Sequence, residues 1–315
     1  MKLNNEPITL YDAWYYNDNI SRDKWRSSII KDFVDMYKRN LFEIIYKQND
    51  FDVNKKPIGL KWVFNIKDDG RYRSRLVAQG YTQVEGIDYN GSYSPILSES
   101  SFRILLILKL EHPEWICSKL DIETAFLNTK LQENLYVELP SGYEIYEKIS
   151  SLDRNTLDIN DSSLIKSISN TNISKYNKYN KTKVCKLNAA LYGLVQASRE
   201  FYMKMFKILT DLKFINCKSD PCLFKKENVY IGLYVDEIFI VGSKVVCEQF
   251  INEIQSILKV RKYDNLFDFV GGQLIWNSDK TQVIIHQSKL SLKLINKFKK
   301  NYILLKFLLH KDHNH

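Results

Sequence analysis

Acidic residues stand at two places in this sequence where the apolar surroundings favour an uncharged side chain. Asp121 ends the apolar stretch of KLDIETAFLN, and the pair Asp236 and Glu237 interrupts the apolar run GLYVDEIFIV. A buried ionised carboxylate is costly unless it is paired or binds a metal. If adjacent strands bring the two places together, divalent cations would offset the charge, and two such cations suit phosphoryl transfer. The second motif also fits a hairpin whose tip is Val-Asp-Glu with both acids in solvent, so the residues alone leave both interpretations open.

The hydrophobic pattern predicts that an antiparallel sheet backed by helices positions these acids. Residues 115–122 favour a strand that ends at Asp121, and residues 230–241 favour an apolar strand pair interrupted in its middle. Apolar residues at helical spacing predict a helix before and a helix after that pair. Their stripes are Phe201, Met205, Leu209 and Leu212, and Val246, Phe250, Ile254 and Ile257. The order strand, helix, hairpin, helix, then an extended run over 267–275, predicts an α+β fold with a split-βαβ sheet.

The N-terminal half has helical and hairpin signals of its own. Apolar residues at spacings of four, four and three predict one helix, and they are Trp25, Ile29, Phe33 and Met36. The runs LKWVFNI and RYRSRLVAQG, joined by the turn-like Asp68 to Gly70, predict a basic β-hairpin. Residues 101–110 predict a buried helix with Ser98 or Ser100 as its N-cap. Residues 145–183 are rich in Ser, Asn, Lys and Ile without Gly or Pro, which favours an inserted, mobile loop.

Composition excludes several classes of protein. The chain has 315 residues, 44% of them apolar, and a net charge of +9 with a pI of about 9.0, which favours polyanionic partners but also fits an ordinary basic enzyme. Five cysteines without a CxxC pair argue against a secreted disulfide framework and a zinc ribbon. We find no signal peptide and no apolar run near the ~20 residues that span a bilayer. These features predict an intracellular protein without a membrane partner.

Six blocks of sequence, within residues 20–300, follow one another in a family-specific order. They are KKPIGLKWVFNIK (55–67), RYRSRLVAQGYTQVEGIDYNGSYSPI (71–96), KLDIETAFLNTKLQENLYVELPSGY (119–143), CKLNAALYGLVQASREFY (185–202), SDPCLF (219–224) and YVDEIFIVGS (234–243). Together they resemble the reverse transcriptase domain of copia-type LTR retrotransposon Pol polyproteins. The resemblance implies a right-hand polymerase that copies RNA or DNA into DNA, with a ferredoxin-like palm. The implied parts are a helical lead-in (1–50), fingers (51–115), a palm (116–275) with a low-complexity insertion (145–183), and a partial thumb with a divergent tail (276–315).

The resemblance also implies a two-metal site. Asp121 matches the family's first aspartate, expected to bind two Mg²⁺ ions with help from the Ile122 carbonyl, and Asp236 matches the first acid of the family's YVDD hairpin. One ion would activate the primer 3′-hydroxyl, and the other would hold the incoming triphosphate and the leaving pyrophosphate. Mn²⁺ is a possible substitute. The implied partners are an RNA or DNA template with its primer and deoxynucleoside triphosphates.

Five further residues match nucleotide-binding positions of the family. Phe126 would lie under the sugar and exclude a ribose 2′-hydroxyl, although a plain core phenylalanine fits as well. Arg73 and Arg75 would clamp the triphosphate from the fingers hairpin, and a solvated strand face is the alternative. Tyr192 and Gly193 would approach the nascent base pair, unless the glycine merely begins the next helix.

The sequence departs from the family pattern at several positions. Glu237 stands where the family has its second hairpin aspartate, and the extra methylene moves the carboxylate outward. We therefore expect metal binding to survive while turnover falls. Ser198 replaces the usual proline, the turn before the thumb is Phe269-Val270-Gly271, and residues 301–315 lose the resemblance.

The sequence is also compatible with two other functions. A decayed element could keep a basic nucleic-acid groove without chemistry, and its binding would depend steeply on salt. A two-metal nuclease is the third possibility, because carboxylate clusters alone do not distinguish making from breaking phosphodiesters. The fingers block and the YVDE hairpin disfavour the nuclease.

Overall fold

The protein is described here from a computed structural model. It covers residues 6–48, 51–52, 55–67, 69–158, 161–175, 182–264, 268–269 and 272–298. The chain forms two compact units. Unit 1 comprises residues 1–94 and 124–207, and unit 2 comprises residues 95–123 and 208–315.

The chain contains eight α-helices and fourteen strands within the described ranges, and the paired strands are antiparallel. The helices are α1 (Leu10–Trp14), α2 (Asn19–Lys38), α3 (Glu99–Glu111), α4 (Tyr143–Ser150), α5 (Ser162–Ser169), α6 (Ala197–Asp211), α7 (Lys244–Ile257) and α8 (Ser288–Phe298). The strands are β1 (Phe42–Tyr46), β2 (Leu60–Ile66), β3 (Tyr72–Ala78), β4 (Ile116–Ile122), β5 (Tyr136–Val137), β6 (Lys183–Leu187), β7 (Ile215–Asn216), β8 (Leu223–Lys226), β9 (Val229–Tyr234), β10 (Glu237–Gly242), β11 (Val260–Tyr263), β12 (Asp268–Phe269), β13 (Gly272–Trp276) and β14 (Val283–His286). The architecture is therefore mixed α/β with antiparallel sheets.

Unit 1 is built around the apolar stripe of α2. Trp25, Ile29, Phe33 and Met36 are almost completely buried, which confirms the helix predicted from their spacing. The stripe packs on the β2–β3 hairpin, where the Trp25 ring lies 5.5 Å from that of Phe64. Burial of such side chains contributes about 1.5–3 kcal/mol each. The lead-in is not helical throughout, because β1 pairs antiparallel with β6.

The expected irregular loop over 145–183 is partly helical. Helix α4 begins just before it and α5 lies within it, and both pack against α2. Ile145, Ile149 and Ile168 are buried in the core of unit 1. The prediction of a loop was wrong here because it was based on the composition of the whole 39-residue segment and on its weak overall periodicity. Helices of eight residues are too short to dominate the pattern of so long a window. The apolar residues of two short helices are enough to bury one face each.

Unit 2 contains a six-stranded antiparallel sheet in the order β11-β4-β10-β9-β8-β7. Helices α3 and α7 pack against β10, and Ser98 caps α3 by accepting a hydrogen bond from the backbone N–H of Ser101. The predicted last strand was misplaced. The sheet ends with β11, whereas the run predicted over 267–275 forms β12 and β13 of a separate sheet with β14. Pairing between distant strands is not encoded in local alternation, which explains the error.

Three sequence expectations fall wholly or partly at residues outside the described ranges. Positions 270 and 271 of the turn before the thumb are among them, as are Asp68 of the hairpin turn and the tail 301–315. None of the helices in the described ranges combines the length and the apolar character that crossing a bilayer requires.

Candidate active site

The structure brings the two acidic places of the sequence to one end of the six-stranded sheet in unit 2. Strands β4 and β10 are adjacent, and Asp121 lies directly opposite Glu237 in their register. The backbone N–H of Ile122 donates a hydrogen bond to the carbonyl oxygen of Asp236, with an N···O distance of 2.9 Å. We call this group of Asp121, Asp236 and Glu237 the acidic edge. Residues 115 positions apart meet here because they are carried by neighbouring strands.

A tight hairpin presents Asp236. Only Val235 and Asp236 lie between β9 and β10, and Val235 has a φ of +54°. A β-branched residue in the left-handed region is strained, and such strain is concentrated at functional sites. The alternative of a solvated hairpin tip is right for the hairpin but wrong for Glu237. That residue begins β10, and its side chain is only 27% exposed.

Burial and like charge both act on Asp121. Burial is the larger cause that raises the pKa of this carboxyl, and the neighbouring charge of Asp236 raises it further. Lys119 and Arg261 partly offset both effects. The acidic edge therefore concentrates negative charge that the surrounding cations balance only in part.

The sequence analysis singled out neither of the two cations beside Asp121, Lys119 and Arg261. Lys119 stands two residues before Asp121 on β4, so strand alternation places it on the same face, and that spacing could have identified it. Arg261 lies directly opposite Asp121 on β11. No local signal could have identified Arg261, because only the pairing of β11 with β4 brings it to Asp121, and the two residues are about 140 positions apart in the sequence.

Glu237 forms an ion pair with Lys119. The ammonium of Lys119 donates a hydrogen bond to Oε1 of Glu237 over 3.0 Å, and the Lys119 side chain is only 12% exposed. Burial is the main cause that raises the pKa of Glu237, and Lys119 works against it. The third acid of the edge is therefore held in an ion pair.

The oxygen donors of the edge fit a hard cation. Within the described ranges, no three His, Cys, Asp or Glu side chains are arranged to hold a metal ion. The predicted set instead combines two carboxylates, Asp121 and Asp236, with the backbone carbonyl of Ile122. Mg²⁺ is commonly held by one or two carboxylates, with the remaining positions left to water and substrate phosphates. The donor chemistry thus suits Mg²⁺ or Mn²⁺.

Three of the predicted nucleotide-binding side chains pack together in one cluster in unit 1. The guanidinium carbon of Arg75 lies 4.0 Å from the centroid of the Tyr192 ring, and its Nη2 donates to the tyrosine hydroxyl over 3.2 Å. The Phe126 ring packs edge-on against the Tyr192 ring at 5.2 Å. We call Arg75, Tyr192 and Phe126 the arginine corner. Arg73 is on the same face of β3 as Arg75, opposite Asn65 of β2.

Gly193 serves a close approach of two backbones. It has a φ of +88°, and a Cβ atom there would lie 2.2 Å from the carbonyl oxygen of Ala78. Beside it, the backbone N–H of Ala78 donates to the carbonyl oxygen of Tyr192 over 2.7 Å. The glycine does not begin a helix, since α6 starts at Ala197. The absence of a side chain at Gly193 thus permits the close approach, and the hydrogen bond holds the Tyr192 backbone against the end of β3.

Asp32 supports the arginine corner from α2 and was not singled out from the sequence. Its carboxylate accepts a hydrogen bond from the backbone N–H of Leu76 in β3 over 2.8 Å. Burial raises the pKa of Asp32 to about 7, and the charge of Arg75 opposes this shift. An aspartate in the middle of an amphipathic helix gives no signal that distinguishes it from surface residues.

The fold and the acidic edge define a class of mixed α/β proteins in which carboxylates gather at the end of an antiparallel sheet. The profile of the family described as "Reverse transcriptase (RNA-dependent DNA polymerase)" matches residues 43–180 and 171–302. The chain belongs to this family.

Curated relatives support the same assignment. The chain is 35% identical over 208 residues, 63% of its length, to the "Retrovirus-related Pol polyprotein from transposon TNT 1-94" of Nicotiana tabacum. It is 27% identical over 281 residues (86%) to the corresponding polyprotein from transposon RE2 of Arabidopsis thaliana, and 30% identical over 224 residues (68%) to that from RE1. The matched region spans 13% to 16% of the length of these relatives.

Proposed function

We propose that this chain is an RNA-directed DNA polymerase that adds deoxynucleotides to a primer 3′-hydroxyl on an RNA or DNA template. One observation carries the proposal: Asp121 and Asp236 lie together at the end of β4 and the adjoining hairpin, with negative charge that the neighbouring cations balance only in part. Membership of the reverse transcriptase family supports it. In this proposal residues 51–115 are fingers, 116–275 the palm and 276–315 a partial thumb, with the extra segment at 145–183.

The acidic edge would supply the metal ligands. Asp121, Asp236 and the Ile122 carbonyl would hold two Mg²⁺ ions, which when bound lower the pKa of the primer 3′-hydroxyl and neutralise the triphosphate. The protein groups mainly position the reactants, and no protein nucleophile is needed. Glu237 would act through its charge, since Lys119 holds its carboxylate.

The arginine corner would receive the nucleotide. Arg75 has five N–H donors, so the single bond to Tyr192 leaves others for triphosphate oxygens. Arg73 would add a second cation on the same strand face. Phe126 would discriminate against a ribose 2′-hydroxyl. Tyr192, fixed by Gly193, would pack against the nascent base pair.

A second candidate function is a remnant that binds nucleic acid without catalysis. The ion pair of Glu237 with Lys119 favours it, because it occupies an acid that the resemblance places among the catalytic carboxylates. Binding would then persist and weaken steeply with salt.

Primer extension distinguishes the candidates. The purified chain is incubated with a DNA primer on an RNA template, a labelled deoxynucleotide and either Mg²⁺ or Mn²⁺. The polymerase proposal expects incorporation that is lost in Asp121→Asn and in Asp236→Asn. Equal incorporation by all three proteins would exclude the proposed chemistry. Salt-dependent binding without incorporation would favour the remnant, and template cleavage without extension would favour a nuclease.

A further inference from the structure

Unit 2 contains a cavity of about 480 Å³ that the polymerase proposal does not use. It opens beside Ile116–Ser118, the first residues of β4, whereas Asp121 is near the other end of that strand. Its volume is in the range of sites for small organic ligands, about 300–1,000 Å³. The residues that line it combine two cations with two indole rings.

Lys109 contributes a buried charge to the cavity wall. Its residue is only 4% exposed, and its ammonium donates hydrogen bonds to the backbone carbonyls of Pro113 and His112 over 3.0 and 3.4 Å. Among the residues that the structure describes, no carboxylate lies within ion-pair distance of this ammonium. A buried cation without a counter-ion is costly, and burial accordingly lowers the pKa of Lys109. An anion in the cavity would remove that cost.

A second cation lies near the first. Lys280, in the turn between β13 and β14, also lines the cavity, and its charge lowers the pKa of Lys109 further. Its backbone is held at a φ of +58° by the turn, where its N–H donates to the carbonyl oxygen of Asn277. The acid in the wall, Asp264, is paired with Lys262 at 2.7 Å. The wall therefore has an excess of positive charge.

Two indoles supply flat apolar surface beside these cations. Trp115 and Trp276 both line the cavity. The Trp115 ring is stacked on His112 with centroids 4.0 Å apart and an interplanar angle of 12°, so its orientation is fixed. Indole rings favour flat, aromatic partners. A ligand that is both aromatic and anionic satisfies both parts of the wall.

We propose that this cavity binds a planar aromatic anion of small-molecule size, with its acidic group at Lys109 and Lys280 and its ring against Trp115 and Trp276. A carboxylate on an aromatic ring has this chemistry, and so does a nucleoside monophosphate. The proposal is independent of polymerase activity, since the cavity shares no side chain with the acidic edge.

Calorimetric titration with a matched set of compounds tests the proposal. 2-Naphthoate carries the ring and the charge, 2-naphthalenemethanol the ring alone, and acetate the charge alone. We expect 2-naphthoate to bind with one site per chain, at least tenfold tighter than either of the others. Equal affinity for the acid and the alcohol, or no binding of the acid, would overturn the proposal. Competition by deoxyadenosine monophosphate distinguishes a nucleotide from an aromatic carboxylate as the source.

Variants of the wall locate the binding. Lys109→Met keeps the length of the side chain and should weaken 2-naphthoate binding at least tenfold without changing the affinity for the alcohol. Lys280→Met, at an exposed residue whose change leaves the core intact, should weaken it severalfold and serves if Lys109→Met does not fold. Lys218→Met removes an exposed lysine of unit 2 outside the cavity and should leave binding unchanged. Unaltered binding in both wall variants would show that the acid binds elsewhere.

Discussion

The acidic edge and the arginine corner differ in how their charges are balanced. At the acidic edge, burial and the neighbouring Asp236 both raise the pKa of Asp121, and Lys119 and Arg261 compensate only in part. In the arginine corner, the guanidinium of Arg75 lies over the Tyr192 ring and donates to its hydroxyl. The edge is thus arranged around charge that an added cation would stabilise, whereas the corner is held together by its own contacts.

This difference separates the roles proposed for the two regions. A group of like charges that the fold brings together at a cost is difficult to explain by stability, so it favours a function that requires those charges. A corner with satisfied contacts is equally compatible with packing and with ligand binding. Variants should therefore affect the two regions in different ways, and the largest effect is expected at the edge.

Asp121→Asn should lower primer extension by about 10³-fold, because it removes a carboxylate that would bind both metal ions. Its melting temperature should be equal to or higher than that of the natural chain, since the ionised carboxylate is disfavoured by burial in the folded state. Extension assays and thermal unfolding measure the two effects. Asp23→Asn, at an exposed residue of α2, is the matched control and should change neither quantity. A lower melting temperature together with full activity would reverse the contrast between the regions.

Arg75→Lys should raise the KM for the incoming nucleotide about tenfold and change kcat little. A lysine keeps the charge but loses the planar group that lies over Tyr192 and the paired donors for triphosphate oxygens. Steady-state primer extension at varied nucleotide concentration separates KM from kcat. Arg71→Lys in the same hairpin, whose guanidinium contacts Asp69 at the turn, is the control and should leave both constants unchanged. An unchanged KM in Arg75→Lys would assign the corner to packing alone.

The sequence predicts the elements that carry both regions better than it predicts their partners. The stripe of Trp25 to Met36, the β2–β3 hairpin and the strand that carries Asp121 all depend on local periodicity, and the structure contains each of them. The position of Arg261 opposite Asp121 depends on β11 pairing with β4, which local periodicity cannot reveal. The same limit explains β1, whose partner β6 lies about 140 residues further along the chain.

The candidate site residues also differ in how readily the sequence alone reveals them. Asp121 and Asp236 were found because a carboxylate in an apolar run is conspicuous. Lys119 was missed although its spacing from Asp121 was visible, because a lysine next to a strand end is common on surfaces. The close approach at Gly193 could not be assigned to Ala78 from the sequence, since the contact joins β3 to a segment more than 100 residues away.

Glu237→Asp should raise primer extension severalfold and thereby sharpen the contrast, because it places a third free carboxylate at the edge. The shorter side chain draws its carboxylate back by about one bond length, which weakens the 3.0 Å contact with Lys119 and leaves the carboxylate more available to a metal ion. Initial rates of extension at fixed enzyme concentration measure the change. Glu253→Asp, at an exposed residue of α7, is the control and should have no effect. An unchanged rate in Glu237→Asp would show that this position hardly matters for turnover.

Asp32 provides the smallest test, because it lies beside the arginine corner and burial raises its pKa to about 7. Its pKa in the unfolded chain is about 3.9, so the folded state binds its proton more tightly. The resulting stabilisation is fully present below pH 4 and is lost as the pH rises through 7. This rise in pKa from about 3.9 to about 7 corresponds to roughly 4 kcal/mol. Asp32→Asn keeps an oxygen that accepts from Leu76 but does not titrate, so this part of the pH dependence should disappear.

Melting temperatures of the natural chain and of Asp32→Asn at pH 4, 6 and 8 measure this effect. We expect the two proteins to agree at pH 4 and the variant to be the more stable at pH 8. Asp23→Asn, on the exposed side of the same helix, should follow the natural chain at every pH. If Asp32→Asn is instead less stable at pH 8, the ionised carboxylate stabilises β3 through Leu76 and Arg75. The charge of Asp32 would then offset that of Arg75, and the charges at the corner would be balanced even more completely than those of the edge.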